Sequence, residues 1–136
     1  MGTKWSIFFI ATALFIGSSV YILFRTPLSW FPDISGWDRA IINLSGVSPQ
    51  LSAFIKFHLS DVMWALAFAE TVYIIKNSLW LGVIVALVAT ILYEAMQYFG
   101  VIRGTGDIWD IFFVAISLAI YFILRKRGIM YEKQQI

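Results

Sequence analysis

Cysteine is absent from the 136-residue sequence, and charged residues are scarce. The absence of cysteine excludes disulfides, thiol nucleophiles and thiolate metal sites, while the redox compartment stays undecided. Charged residues make up 13% of the chain, against about 25% in soluble domains. Hydrophobic residues make up 60%, and the mean hydropathy is +0.82. These proportions predict an integral membrane protein.

Four long apolar segments contain most of the hydrophobic residues. They cover residues 5–24, 57–75, 79–99 and 108–124. A helix of about 20 apolar residues is long enough to cross the hydrocarbon core of a bilayer. We therefore predict an all-α, four-helix transmembrane bundle that forms one domain over residues 1–136. A cleaved signal peptide is the alternative for the first segment, but its apolar run exceeds the roughly 7 to 15 residues of a signal core.

The longest polar loop follows the first apolar segment and contains all three prolines. Proline and glycine interrupt regular structure there. Within it, residues 36–44 place apolar side chains at helical spacing opposite Asp38 and Arg39. This pattern favours a short amphipathic helix on the membrane surface. An irregular loop with scattered apolar side chains is the alternative interpretation.

Lysine and arginine residues predict the orientation in the membrane. With four spans, six of the ten basic residues lie on the side of the two termini and four on the other side. Because basic residues favour the cytoplasmic side, we predict a multi-pass protein of the cell membrane with both termini in the cytoplasm and the lipid bilayer as a partner. The net charge of +2 is too small to indicate a nucleic-acid partner. The sequence leaves self-association into a homo-oligomer open.

Polar side chains concentrate where three of the spans begin or end. If the spans alternate in direction, these ends lie on the same side of the membrane. The residues expected to converge at this rim are His58, Asp61, Glu94, Gln97, Arg103, Asp107 and Asp110. Ionisable groups within a membrane protein need a partner or a function, although a position at the rim costs less than one at mid-bilayer.

Several of these residues also have structural explanations. Asp107 is placed to cap the fourth helix, with Asp110 in its first turn, where the helix dipole favours a carboxylate. Arg103 is close enough in sequence to pair with a neighbouring carboxylate. Gly104 and Gly106 are typical of a turn that needs positive φ.

Two further features lie away from the rim. Glu70 is about 18 Å along the second helix from His58, and we expect its side chain to extend toward Lys76 at the opposite membrane face. On the third span, small side chains recur every four residues and lead to an acid: Gly82, Ala86, Thr90 and Glu94. Such a strip predicts close packing against a neighbouring helix.

The polar residues also form a motif. It reads Glu94-x-x-Gln97, then Arg103-Gly104-Thr105-x-Asp107-x-x-Asp110, and it follows a span that opens with His58 and Asp61. Over about residues 56–124 this arrangement resembles the VanZ-like family of small bacterial membrane proteins. That family is named for an accessory factor in resistance to the glycopeptide antibiotic teicoplanin. Its members often carry Asn and Gly where this chain has Val114 and Ser117. The resemblance implies a role in the cell envelope that affects antibiotic susceptibility.

The first functional hypothesis is a binding site. A helix N-terminus and an arginine suit a phosphate or carboxylate, and the other polar groups suit sugar or peptide groups. A lipid-linked envelope precursor, a glycopeptide or a lipopeptide combines these chemical groups. The ligand-binding residues of this hypothesis are Glu94, Gln97, Arg103, Thr105, Asp107 and Asp110.

The second hypothesis is an intramembrane enzyme, a hydrolase or transferase that acts on a lipid-linked substrate. His58 oriented by Asp61 would be the base and Glu94 the acid, or the group would hold a divalent metal. The spacing matches no established catalytic or metal signature, so binding is favoured over catalysis, and neither a cofactor nor a metal is predicted. A small proton or solute transporter is a third hypothesis, which is disfavoured because only Glu70 lies deep in a span.

Overall fold

The computed structural model describes residues 3–24, 46–102 and 106–133. Over these residues the chain forms five α-helices and no β-strand. The helices are α1 (Thr3–Phe24), α2 (Pro49–Phe57), α3 (Leu59–Lys76), α4 (Leu79–Tyr98) and α5 (Ile108–Lys133). The predicted all-α class is therefore confirmed for the described part of the chain. The predicted surface helix at residues 36–44 lies outside it.

Three of the helices are long and apolar enough to cross a membrane. The stretches that could span a membrane are Lys4–Phe24 in α1, Leu79–Tyr98 in α4 and Ile108–Gly128 in α5. Helices α2 and α3 meet the same criterion only as a pair, bent by 52° where they join. The bend lies at His58, at the beginning of the second span predicted over residues 57–75, most of which is α3. The fourth span, predicted over residues 108–124, lies within α5, which continues to Lys133.

Serine and asparagine residues set the ends of three helices. Ser48 and Ser78 each accept a hydrogen bond at 3.3 Å, from the backbone N–H of Leu51 and Leu81. Such a bond satisfies a donor that the first turn of a helix leaves without a partner. Asn77 ends α3 with a left-handed backbone, at a φ of 50°. A two-residue connection therefore joins α3 and α4.

Helix α3 lies at the centre of the bundle and packs against α1, α2, α4 and α5. Its buried residues are mostly small, which lets several neighbours approach closely. A Cβ atom added at Gly82 of α4 would lie 2.5 Å from the carbonyl oxygen of Ala69. Gly82 and Ala86 are both buried, and Ala86 belongs to the same apolar core as Ala69. The first two residues of the strip therefore pack as predicted, with Gly82 directly against α3.

One face of α5 carries both polar and apolar buried residues. In chain order they are Asp110, Val114, Leu118, Tyr121 and Arg125. The spacing of three or four residues places them on one side of a helix. Val114 and Leu118 belong to the apolar core, together with Val62 and Ala65 of α3. The α3–α5 contact is therefore apolar in the middle and polar near both ends.

Candidate functional site

His58 lies at the bend between α2 and α3. The backbone hydrogen bonding continues through it, since its N–H donates to the Phe54 carbonyl at 2.9 Å and its carbonyl accepts from Val62 at 3.1 Å. The imidazole ring lies against Phe54 and Phe113, with ring centroids 6.2 Å and 4.7 Å away. These contacts with α2 and α5 fix the orientation of the ring.

The His58 ring forms a hydrogen bond with Asp110 in the first turn of α5. The Nδ1 atom lies 2.6 Å from Oδ1 of Asp110, and it is the donor because a carboxylate only accepts. No hydrogen bond involves the other ring nitrogen within the described residues. The sequence interpretation gave the orienting role to Asp61, whereas the structure places Asp110 at this nitrogen. Asp110 is buried, and this pairing provides the partner that a buried carboxylate needs.

Glu94 and Asp107 organise the start of α5. The Asp107 backbone N–H donates to Oε2 of Glu94 at 2.9 Å, and Oδ1 of Asp107 accepts from the Trp109 N–H at 2.9 Å. Asp107 is therefore a helix cap, as its position predicted. These bonds hold the last turns of α4 beside the start of α5.

Gly106 is required by close packing and not by its backbone angle. Among the described glycines only Gly100 has a positive φ, at 71°, so the expectation of positive φ at Gly106 was wrong. A Cβ atom at Gly106 would lie 2.7 Å from the Glu94 carbonyl oxygen and 2.8 Å from Tyr98. The connection therefore passes directly against α4, and this contact positions Asp107.

Four of the predicted site residues thus form a connected group, which we call the helix-end cluster: His58, Glu94, Asp107 and Asp110. Asp61 is half-buried in the first turn of α3 and has an interaction of its own. Gln97 is half-buried in the last turn of α4, and its side chain forms no hydrogen bond within the described residues. Arg103 and Thr105 lie outside the described residues.

Part of the helix-end cluster has the composition of a metal site. His58, Asp107 and Asp110 each offer one ligand atom, and these atoms lie within 4.8 Å of one another. One imidazole and two carboxylates form a donor set that suits a divalent cation. The sequence predicted that these residues converge at one rim, but it did not single out these three as a donor set, because their spacing matches no known metal signature.

A second polar group, which we call the buried cluster, lies near the other ends of α3 and α5. Its members are Ser6, Glu70, Tyr121 and Arg125. Nη2 of Arg125 donates to Oε1 of Glu70 at 2.7 Å and to Oγ of Ser6 at 2.8 Å, and the Tyr121 hydroxyl donates to Oε2 of Glu70. The expectation that Glu70 extends toward Lys76 was therefore wrong. A carboxylate at this depth gains more from a buried guanidinium than from an exposed ammonium group.

Arg125 is not completely satisfied by these contacts. Its Nε and Nη1 atoms are buried and have no hydrogen-bond partner among the described residues, and its guanidinium carbon lies 4.8 Å from the centroid of the Tyr73 ring. The face of an aromatic ring attracts a cation, which offsets part of the cost. The buried cluster connects α1, α3 and α5.

By their length and composition, the three apolar helices place the chain in the class of helical membrane proteins. Comparison with known proteins adds no family to this class. The chain matches no protein-family model, no curated protein and no solved structure. Any more specific function therefore depends on the residues of the chain itself.

Proposed function

We propose that the chain is an accessory protein of the bacterial cell envelope, similar to the VanZ-like family, and that its helix-end cluster binds a polar headgroup. The ligand is a lipid-linked envelope precursor, or a glycopeptide or lipopeptide that reaches the membrane surface. Binding alters the susceptibility of the cell to antibiotics. One observation carries the proposal: α3, α4 and α5 bring four ionisable side chains together where these helices begin or end.

The proposal includes four membrane spans, with the bent pair α2 and α3 forming the second one. That pair meets the length and hydropathy criterion for a span when its two helices are taken together. Four spans place both termini on the same side, and the excess of basic residues on that side favours the cytoplasm. The helix-end cluster then faces the outside of the cell membrane, where envelope precursors and antibiotics occur.

Exposed aromatic and aliphatic side chains support a position at the headgroup level. Tyr98, Phe99, Ile108 and Trp109 flank the helix-end cluster, and each is more than half exposed. Aromatic side chains are enriched at the interface between the hydrocarbon core and water. A polar group surrounded by such residues meets lipid headgroups, not acyl chains.

A genetic experiment tests this function. A strain that lacks the gene is complemented with the wild-type chain, Glu94→Gln or Asp110→Asn, and its sensitivity to glycopeptides and lipopeptides is measured. We expect both variants to insert in the membrane at wild-type levels and to lose complementation. Full complementation by both variants would argue against a role of the cluster in the phenotype. Degraded variants would indicate that the acids act only in folding, and the binding proposal would fail.

Catalysis is the second candidate, and the hydrogen bond between His58 and Asp110 is the observation that favours it. A carboxylate that binds one imidazole nitrogen orients the ring and leaves the other nitrogen to accept a proton. Asp110 replaces Asp61 in this version of the enzyme hypothesis. His58→Ala should then eliminate turnover of a purified lipid-linked substrate, and turnover that survives this change removes His58 from the mechanism.

A proton or solute transporter is less well supported. The helix-end cluster and the buried cluster are separated by about 18 Å along α3. Val114 and Leu118 lie between them and are 0% and 1% exposed. A polar solute that passed between α3 and α5 would have to displace this apolar core.

A further inference from the structure

We propose that His58, Asp107 and Asp110 bind a divalent transition-metal ion, Zn²⁺ or Mn²⁺. Their ligand atoms lie within 4.8 Å of one another. In tetrahedral geometry an ion with bonds of about 2.0 to 2.2 Å holds its ligand atoms about 3.3 to 3.6 Å apart, so side-chain movements of up to about 1 Å complete the site. The imidazole favours a transition metal over Mg²⁺ or Ca²⁺, which prefer oxygen ligands alone.

The local charge points to the same ligand independently of these distances. In the sequence, residues 56–61 and 94–110 carry four carboxylates against Lys56 and Arg103. With His58 neutral, their formal charge is −2, although the chain as a whole carries +2. Excess negative charge next to a hydrocarbon core is costly. One divalent cation balances it.

The proposed ligands are held by contacts outside the group. The Phe113 ring lies 4.7 Å from the His58 ring, and Glu94 binds the backbone N–H of Asp107. Supporting contacts of this kind orient metal ligands and commonly affect metal affinity. Asp110 is 6% exposed, so its carboxylate is shielded from the solvent that otherwise competes for a cation.

A bound cation also defines the class of headgroup. Two carboxylates beside the start of α5 repel an anion, whereas a divalent ion on those carboxylates attracts phosphate oxygens. The preferred ligand is then a phosphate or pyrophosphate ester on a lipid. This last step rests on the proposed headgroup function, but the cation site does not.

The experiment measures the binding of the metal alone. The purified full chain, with any histidine tag removed, is stripped with a chelator and titrated with Zn²⁺ and with Mn²⁺ in a calorimeter. We expect one ion per wild-type chain. In Asp107→Asn the new side chain still caps α5 but is no longer a carboxylate ligand. We expect its dissociation constant to rise more than about 100-fold, beyond the roughly 10- to 100-fold effect of losing an outer-shell contact.

Glu132→Gln is the matched control, because it also removes one carboxylate but lies at the opposite end of α5. Its dissociation constant should equal that of the wild type. His58→Ala should weaken binding as Asp107→Asn does. If both variants bind the ion as tightly as the wild type, or if the wild type binds none at millimolar concentration, the metal proposal is wrong.

A second titration separates this proposal from the proposed function. A short-chain lipid pyrophosphate is added to the wild-type chain with and without the ion. Binding only in the presence of the ion supports both proposals. Ion binding without any lipid binding supports the cation site and contradicts the headgroup function. Lipid binding that is the same without the ion contradicts the proposed role of the cation.

Discussion

The Nδ1 atom of His58 lies 2.6 Å from Oδ1 of Asp110, although the two residues are 52 positions apart. This hydrogen bond connects the start of α3 to the first turn of α5. Both side chains are largely buried, with 14% of the His58 side chain and 7% of the Asp110 side chain exposed. A change at either residue therefore affects the packing of the two helices as well as the site.

A double-mutant cycle measures the contribution of this hydrogen bond to stability. His58→Ala, Asp110→Ala and the double variant are compared by unfolding in detergent. We expect a coupling free energy of about 1.5 to 3 kcal/mol, the range for a hydrogen bond to a charged group. Destabilisation that is simply additive would show that the two side chains do not interact in solution.

Removal of only one member of the buried pair Glu70 and Arg125 should destabilise the protein. Arg125→Met leaves a buried carboxylate without its cation, and we expect the free energy of unfolding to fall by about 3 to 5 kcal/mol. The double variant Glu70→Leu/Arg125→Met removes both charges and should recover most of that loss. If the double variant is less stable than Arg125→Met, the charges do not compensate each other in the buried cluster.

A side chain at position 106 should lower the free energy of unfolding. In Gly106→Ala the new Cβ would lie 2.7 Å from a backbone oxygen of α4, so the connection must shift. We expect a loss of about 1 to 3 kcal/mol, which is typical of overpacking. Gly128→Ala is the control, because a Cβ there meets no atom within 4 Å. Alanine is favoured over glycine in a helix, so that variant should be slightly more stable than the wild type. Equal effects at both positions would contradict the close contact at Gly106.

Composition and the lengths of the apolar runs were sufficient to predict the helical class and the approximate positions of the apolar helices. Alternation of the helices was sufficient to predict that His58, Glu94, Asp107 and Asp110 lie at one end. The helix cap at Asp107 followed from its position before an apolar run. These features depend on local properties, which a sequence displays directly.

Pairing between helices was harder to predict, because it depends on their rotation about their own axes. His58 shares a helical face with Asp61, so the local pattern favoured the wrong carboxylate. The spacing from Asp110 through Val114, Leu118 and Tyr121 to Arg125 could have shown that Arg125 faces the core. Arg125 was instead one of the six basic residues that the orientation prediction counted on the side of the two termini. The expectation that Glu70 extends toward Lys76 was wrong for the same reason, because a sequence shows directly only which residues are neighbours along one helix.

Direct binding to the purified protein tests the central claim that the helix-end cluster is a headgroup site. Native mass spectrometry of the full chain, with a lipid-linked envelope precursor added, counts the bound ligand. We predict one ligand per wild-type chain and per Glu132→Gln chain, and at least about a tenfold weaker affinity for Asp110→Asn, which corresponds to about 1.4 kcal/mol. Equal affinities for Asp110→Asn and the wild type would contradict it.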